Sequence, residues 1–178
     1  MSNSKFQDAA IKAILNCVKR GNKARFDGDG RKLTSFLWCE EFPTYRKGYT
    51  RRPAGRADLY VEIIYDKGGE WELSEDYIFE CKSSVDDLES GYGLNFAGDR
   101  NFLVIPDYKE AGKYKSFVWK LKLERAIEHL AEIGRADVGV LVIKNGEVVC
   151  KKASWLNKPY GHLFQQAFGD YYDPLMEE

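Results

Sequence analysis

The chain has 178 residues, a formal net charge of −1, 44% apolar and 31% charged residues, a balance that fits one globular domain with a buried core and excludes a disordered chain. No apolar run approaches the ~20 residues of a membrane-spanning helix, and the first residues lack the apolar stretch of a signal peptide, so a cytoplasmic protein without membrane contact is expected. The near-neutral charge argues against a non-specific nucleic-acid coat protein. Two histidines and the dispersed Cys17, Cys39, Cys81 and Cys150 argue against zinc, and the thiols are expected to be reduced and in the core.

In chain order, residues 4–20 form the first expected helix, with Ser4 as N-cap, Phe6, Ala10, Ile14, Cys17 and Val18 at helical spacing, and Gly21 as the stop. Residues 36–42 read as a strand ended by Pro43. Residues 57–65 (ADLYVEIIY) are β-rich, 66–69 (DKGG) have turn chemistry, and 77–82 (YIFECK) form another strand. Residues 103–105 are a short buried strand before Pro106. An amphipathic helix is expected over 116–133, with Phe117, Leu121, Ile127 and Leu130 inward and Gly134 as its close. Residues 138–143 (VGVLVI) are a buried strand, and Asn145-Gly146 turns the chain into a partner strand over 148–152. A short helix around 161–168 completes a single domain of residues 1–168, followed by an acidic tail, 169–178. The whole reads as an α/β domain, a central mixed sheet flanked by helices.

Charge is unevenly spread. Arg46, Lys47, Arg51, Arg52 and Arg56 occupy a loop without an acid, interleaved with Tyr45 and Tyr49. Lys109, Lys113, Lys115, Lys120, Lys122 and Arg125 form a second basic stretch. Acids gather between Asp66 and Glu80 and in the tail. Such segregation suits a phosphate-binding face opposite an acidic back, with DNA as the expected partner. The glycine-bearing connection 86–100 adds Tyr92, Asn95 and Arg100 as candidate substrate contacts. Trp38, Trp71, Trp119 and Trp155 are expected to pack rather than to stack on bases, and His129 and His162 to be structural.

The chemistry concentrates at Asp58 and at Glu80-Cys81-Lys82. An acid-x-Lys tripeptide alone is weak, and Asp107-Tyr108-Lys109 is another. Folding residues 57–82 as an antiparallel hairpin about Gly69 sets residue 58 opposite residue 80. Strand alternation then sends Phe79 and Cys81 into the core while Glu80 and Lys82 project into a cleft that Asp58 can reach. Two carboxylates suit magnesium, a hard cation, and a neighbouring lysine can stabilise the charge that develops in phosphoryl transfer. Asp107 has no facing acid. The competing reading is an ordinary acid–lysine pair on an exposed strand.

The strings Gly55-Arg56-Ala57-Asp58-Leu59-Tyr60-Val61 and Ile78-Phe79-Glu80-Cys81-Lys82-Ser83-Ser84 resemble the PD-(D/E)XK, or restriction-endonuclease-like, nuclease superfamily. With Asp86 or Asp87, Gly91, Asn95-Phe96-Ala97-Gly98-Asp99, Asn101-Phe102-Leu103-Val104-Ile105-Pro106 and Val138-Gly139-Val140-Leu141-Val142, the pattern over residues 36–155 is similar to its MmcB-like branch, small proteins associated with DNA repair and mobile elements. The resemblance implies an αβββαβ core, Mg2+ or Mn2+, and hydrolysis of nucleic-acid phosphodiesters, with DNA the expected substrate. Asp58 and Glu80 would be the metal-binding carboxylates, Cys81 would offer its backbone carbonyl, and Lys82 would be the catalytic lysine. Arg56-Ala57 departs from the proline expected beside the aspartate. The first helix has Gln7 and Asp8 where many members have a glutamate, so Glu40, Glu41 or Asp8 is the open choice for a further acid. Two alternatives accompany the nuclease expectation: a catalytically inactive nucleic-acid-binding module of the same fold, and a mobile-element protein that acts on a host factor. DNA against RNA, strand form and oligomeric state, a homodimer included, stay open at this point.

Overall fold

The computed structural model describes residues 4–21, 33–44, 55–66, 72–90, 94–114 and 119–156. Its elements are α1 (Lys5–Lys19), β1 (Leu33–Thr44), β2 (Gly55–Asp66), β3 (Glu72–Cys81), α2 (Val85–Glu89), β4 (Arg100–Pro106), a 3-10 turn (Ala111–Lys113), α3 (Leu123–Glu132), β5 (Gly139–Lys144) and β6 (Glu147–Lys152). The strands form one six-stranded sheet in sequential order. β1, β2 and β3 pair antiparallel, β3, β4 and β5 pair parallel, and β6 returns antiparallel to β5. The fold is therefore α/β with a mixed sheet, and among the described residues no helix is long and apolar enough to cross a membrane.

Alternation along the strands divides the core in two. Leu59, Val61, Tyr77, Phe79, Phe102, Val104, Leu141 and Ile143 face α1 and meet Phe6, Ala10, Ile14 and Val18. Tyr60, Ile78, Leu103, Ile105, Val140 and Val142 face the other way, with Leu88 of α2 and Ala126 and Leu130 of α3. Both β-to-β crossovers thus lie on one face. Two successive crossovers that advance in the same direction do so when each is right-handed, which leaves the opposite face for α1. The Ser4 hydroxyl caps α1 by accepting the Gln7 N–H at 3.1 Å, and Gly21 ends it at φ 65°. Full burial of side chains such as Phe6 and Ile14 stabilises the contact by about 1.5–3 kcal/mol each.

Three expectations need correction. β1 does not stop before Pro43, which pairs with Arg56 inside the strand. β1 is the sheet's edge, where the missing N–H of proline costs no ladder bond. The helix expected from residue 116 begins only at Leu123, because the Trp119 carbonyl accepts the Val85 N–H at 3.1 Å and straps this segment to α2. Leu121 is still buried, but outside the helix. β3 starts before residue 77, since polar residues from Glu72 on pair with β2. The Asn145-Gly146 turn is as expected, with φ of 52° and 72°, the pair of positive values that a type I′ hairpin needs. Asn145 N–H is also accepted by the Glu110 carboxylate at 3.0 Å.

All four cysteines are free, Cys17 and Cys81 buried, Cys39 and Cys150 half-buried. His129 is buried, as a structural role requires, its Nδ1 3.8 Å from Glu132. Trp38, Trp119 and Trp155 do not pack as expected: they are 48%, 79% and 63% exposed. Trp71, Phe117, Lys115, His162 and the helix and tail expected beyond residue 156 lie outside the described residues.

Candidate active site

The meander β1–β2–β3 brings three acids to one rung. Leu59 pairs with Phe79, so the next step of the same register sets Asp58 opposite Glu80. On the other side Glu40 pairs with Leu59 and Phe42 with Ala57, which sets Glu41 opposite Asp58. The hairpin geometry read from the sequence is the one the strands adopt.

Glu80 and Lys82 are not on an exposed strand. Glu80 is 1% and Lys82 7% exposed, so the ordinary surface pair fails as an explanation. The open cleft is likewise corrected, because residues 94–97 cross over Glu80. Its Oε1 accepts the Asn95 N–H at 3.0 Å, while Asn95 Nδ2 donates to the Arg56 carbonyl at 3.1 Å. A Cβ at position 55 would meet the Asn95 carboxamide, so a side chain there would push Asn95 from its place.

Asp58 Oδ2 accepts the Cys81 N–H at 2.7 Å, and the Asp58 and Glu80 carboxyl groups hydrogen-bond to each other. Burial, and then the charge of Asp58, hold the Glu80 carboxyl well above the usual carboxylate range, against the Asn95 N–H and Lys82. Burial also raises Asp58, opposed by the Cys81 N–H and by Lys82, while Glu41 adds to the rise. Two carboxyl groups crowded together in this way oppose each other's ionisation, and both are raised. The Cys81 thiol, buried with Phe79 on the α1 side, is pushed up by burial and by both acids, which makes it a poor nucleophile.

Lys82 leaves β3 with its N–H on the Val104 carbonyl at 2.9 Å. Its ammonium stands 3.8 Å from Asp87 Oδ1. Asp87 Oδ2 accepts the Ser83 N–H at 3.2 Å, and the Asp87 N–H is capped by the Ser84 hydroxyl at 3.2 Å. The first turn of α2 thereby fixes the lysine beside the acid pair.

The candidates for a further acid, Asp8, Glu40 and Glu41, are all exposed, and of the three Glu41 is the one whose charge acts on Asp58. Glu41 holds φ at 51°, a left-handed backbone that costs a non-glycine residue about 1 kcal/mol or more. Its Oε1 accepts from Gln7 Nε2 at 3.3 Å, so the first helix reaches the rung through an amide. The departure at Gln7 and the choice of Glu41 are linked by that bond. Alternation could not give it, because the positive φ breaks the alternation.

Among the described residues no group of three or more His, Cys, Asp or Glu side chains is set to hold a metal ion. The donor set that remains is the Asp58–Glu80 pair and neighbouring main-chain oxygen. Two hard carboxylates set against each other, each opposing the other's ionisation, suit a divalent cation, which would offset their charge.

Other candidates fall apart. Arg100 is not available to a substrate: its Nε is 3.4 Å from Glu75 Oε2 and its Nη1 donates to the Ser154 carbonyl at 3.1 Å. Asn95 is a clamp on Glu80 rather than a free contact. Arg56 is exposed; Arg46, Lys47, Arg51, Arg52 and Tyr92 lie outside the described residues. Asp107 and Lys109 belong to a turn in which Asp107 Oδ2 accepts the Lys109 N–H at 3.2 Å. A cavity of about 190 Å³ between α1 and the β5–β6 turn is lined by Asn16, Arg20, Asn145 and Glu147 among others, and no residue of the acid pair lines it.

No protein-family model and no curated protein matches the chain. A solved structure that resembles it, the SPO1766 protein of unknown function from Silicibacter pomeroyi, is 18% identical, covers 93% of this chain and 86% of its own, and superposes with a TM-score of 0.47.

Proposed function

We propose that the chain is a metal-dependent nuclease of the restriction-endonuclease-like kind that hydrolyses DNA phosphodiester bonds. The observation that carries this reading is the buried contact between the Asp58 and Glu80 carboxyls with Lys82 two positions on. Burying two acids against each other is unfavourable for folding, so a compensating role is expected of them. The order α1, β1–β2–β3, α2, β4 also agrees with the αβββαβ core that the resemblance implies.

Asp58 and Glu80 would hold magnesium or manganese, with the Cys81 carbonyl as a further hard donor. The chemistry supplied by the ion when bound is polarisation of the phosphate and a lowered pKa for water. The chain supplies the rest. Glu80, whose carboxyl is raised by burial and by Asp58, would bind the cation as the carboxylate, so cation binding would release any proton it carries. The Asn95 N–H and the Cys81 N–H keep each carboxylate aimed, which pre-organises the pair. Lys82, held by Asp87, places a positive charge where the pentavalent phosphate gains negative charge.

Incubation with plasmid, single-stranded and branched DNA tests the reading. Cleavage should need magnesium or manganese, stop with chelator, and vanish in Lys82→Ala while the variant keeps its circular dichroism. A protein that shifts DNA but never cuts it under these conditions would instead be a binding module of the same fold.

A further inference from the structure

Beside the acid pair lies a surface that the proposed chemistry does not use. Trp119 is 79% exposed and Tyr108 47%. Lys120 Nζ and Lys122 Nζ stand 5.5 and 5.8 Å from the centre of the Tyr108 ring. Leu121 between them is buried, which anchors the segment and leaves the two ammonium groups outside.

This surface is tied to the candidate active site by the main chain. The Trp119 carbonyl holds the Val85 N–H, three residues past Lys82, so the tie lies within about 11 Å of the Lys82 backbone. β4, which holds the Lys82 N–H through Val104, leads directly to Tyr108. The patch and the lysine share the end of the sheet at which β3 and β4 terminate.

Charge separates the possible occupants. Three nearby acids are engaged, Glu110 with Lys113 and Asn145, Glu89 with Arg125, and Asp107 with the Lys109 N–H, while Asp86 and Glu124 are exposed and form no ion pair among the described residues. Arg125, counted in the basic stretch, is taken up by Glu89, Glu128 and Glu132. Lys109, Lys120 and Lys122 form no ion pair among the described residues, and Lys120 and Lys122 lie over the Tyr108 ring in the segment that begins with the exposed Trp119. An apolar protein partner would have to desolvate these ammonium groups; a polyanion with flat rings would pair with them.

We infer that Trp119, flanked by Lys120 and Lys122 whose ammonium groups lie over the Tyr108 ring, is a stacking platform for the unpaired bases of a single-stranded nucleic acid whose backbone runs toward Lys82. The inference rests on the nuclease reading for its direction and narrows that reading to single-stranded substrate. Aromatic faces accept any base, and lysines track the phosphates without reading sequence. Duplex keeps its bases stacked inside and offers phosphates to the lysines but no base to the ring.

The test is binding by the full chain in chelator, followed by the anisotropy of labelled oligothymidylate, oligouridylate and a duplex of equal length. The expected result is single-strand binding that Trp119→Ala weakens about tenfold, that Trp119→Phe largely restores, and whose salt dependence flattens in a Lys120→Gln, Lys122→Gln double variant. The thymidylate and uridylate arms tell a DNA platform from an RNA one. Equal single-strand affinity in Trp119→Ala with an unchanged melting temperature overturns the platform. So does duplex bound as tightly as single strand, or a dimer in sedimentation that Trp119→Ala dissolves. Because no metal is present, the outcome is separate from cleavage. Loss of binding in Trp119→Ala with no cleavage by the parent sinks only the nuclease reading. Cleavage of single strands unaffected by Trp119→Ala sinks only the platform.

Discussion

Buried acids stand at two places on β3, and the comparison between them separates architecture from chemistry. Glu75 is met by the Arg100 guanidinium and the Tyr77 hydroxyl, the latter at 3.2 Å. Asp76 accepts the Tyr60 hydroxyl at 2.7 Å, and that phenol is pushed far above its usual range by burial and by Asp76 and Glu62. Farther along the strand, Glu80 has the Asn95 N–H as a donor but is also met by another acid, Asp58. A carboxylate given a cation or a donor is how a fold accommodates buried charge. A carboxyl pressed against a carboxyl is a local conflict that a fold keeps at a functional site.

The largest expected difference is in rate. Asp58→Asn, Glu80→Gln and Lys82→Ala should each lower cleavage by about 100-fold or more while leaving the melting temperature within a few degrees of the parent. Arg100→Met should do the reverse. Removing the guanidinium leaves Glu75 buried beside a lost partner and should cost about 3 kcal/mol of stability, with activity per folded molecule unchanged. Urea unfolding alongside single-turnover cleavage checks both. A rate collapse in Arg100→Met at full folding would erase the distinction between the two places.

Metal sharpens the same contrast. Manganese at about 100 times its dissociation constant should stabilise the parent by about 2.7 kcal/mol, and the gain should be absent in Glu80→Gln but present in Arg100→Met. Thermal melts with and without chelator measure it. No shift in the parent would remove the cation from the account.

The sequence made one of these places legible and not the other. The turn chemistry around Gly69 and the alternation of Phe79 and Cys81 with Glu80 and Lys82 were enough to set Asp58 opposite Glu80, because period and turn length determine register. Arg100 looked like a substrate contact because its partners, Glu75 and Ser154, are brought to it only by the parallel crossovers. Glu41 could not be chosen over Glu40, since a positive φ at residue 41 defeats alternation. The late start of α3 was hidden for a similar reason: helical spacing around Leu121 and Leu130 says nothing of a carbonyl claimed by Val85. Local pattern carries strand order and pairing, while burial and partner choice come from contacts distant in sequence.

The smallest effect expected is one of pH. Glu80 holds its proton above the usual carboxylate range, so the folded state binds more protons than the unfolded chain between that range and the raised value. Stability in the absence of metal is then full below the ordinary glutamate value and falls as pH rises through the raised one. Glu80→Gln keeps a hydrogen-bond donor toward Asp58 at every pH and removes the titration. In chelator the variant should therefore be more stable than the parent at pH 8, by about 1 kcal/mol or more, and the two should converge near pH 4, where both carry a donor. Glu75→Gln, which takes a charge away from Arg100, should lose stability at pH 8 instead. Opposite signs for two glutamate-to-glutamine changes on one strand follow directly from what faces each side chain. Equal signs would mean that the acid pair is an ordinary structural contact.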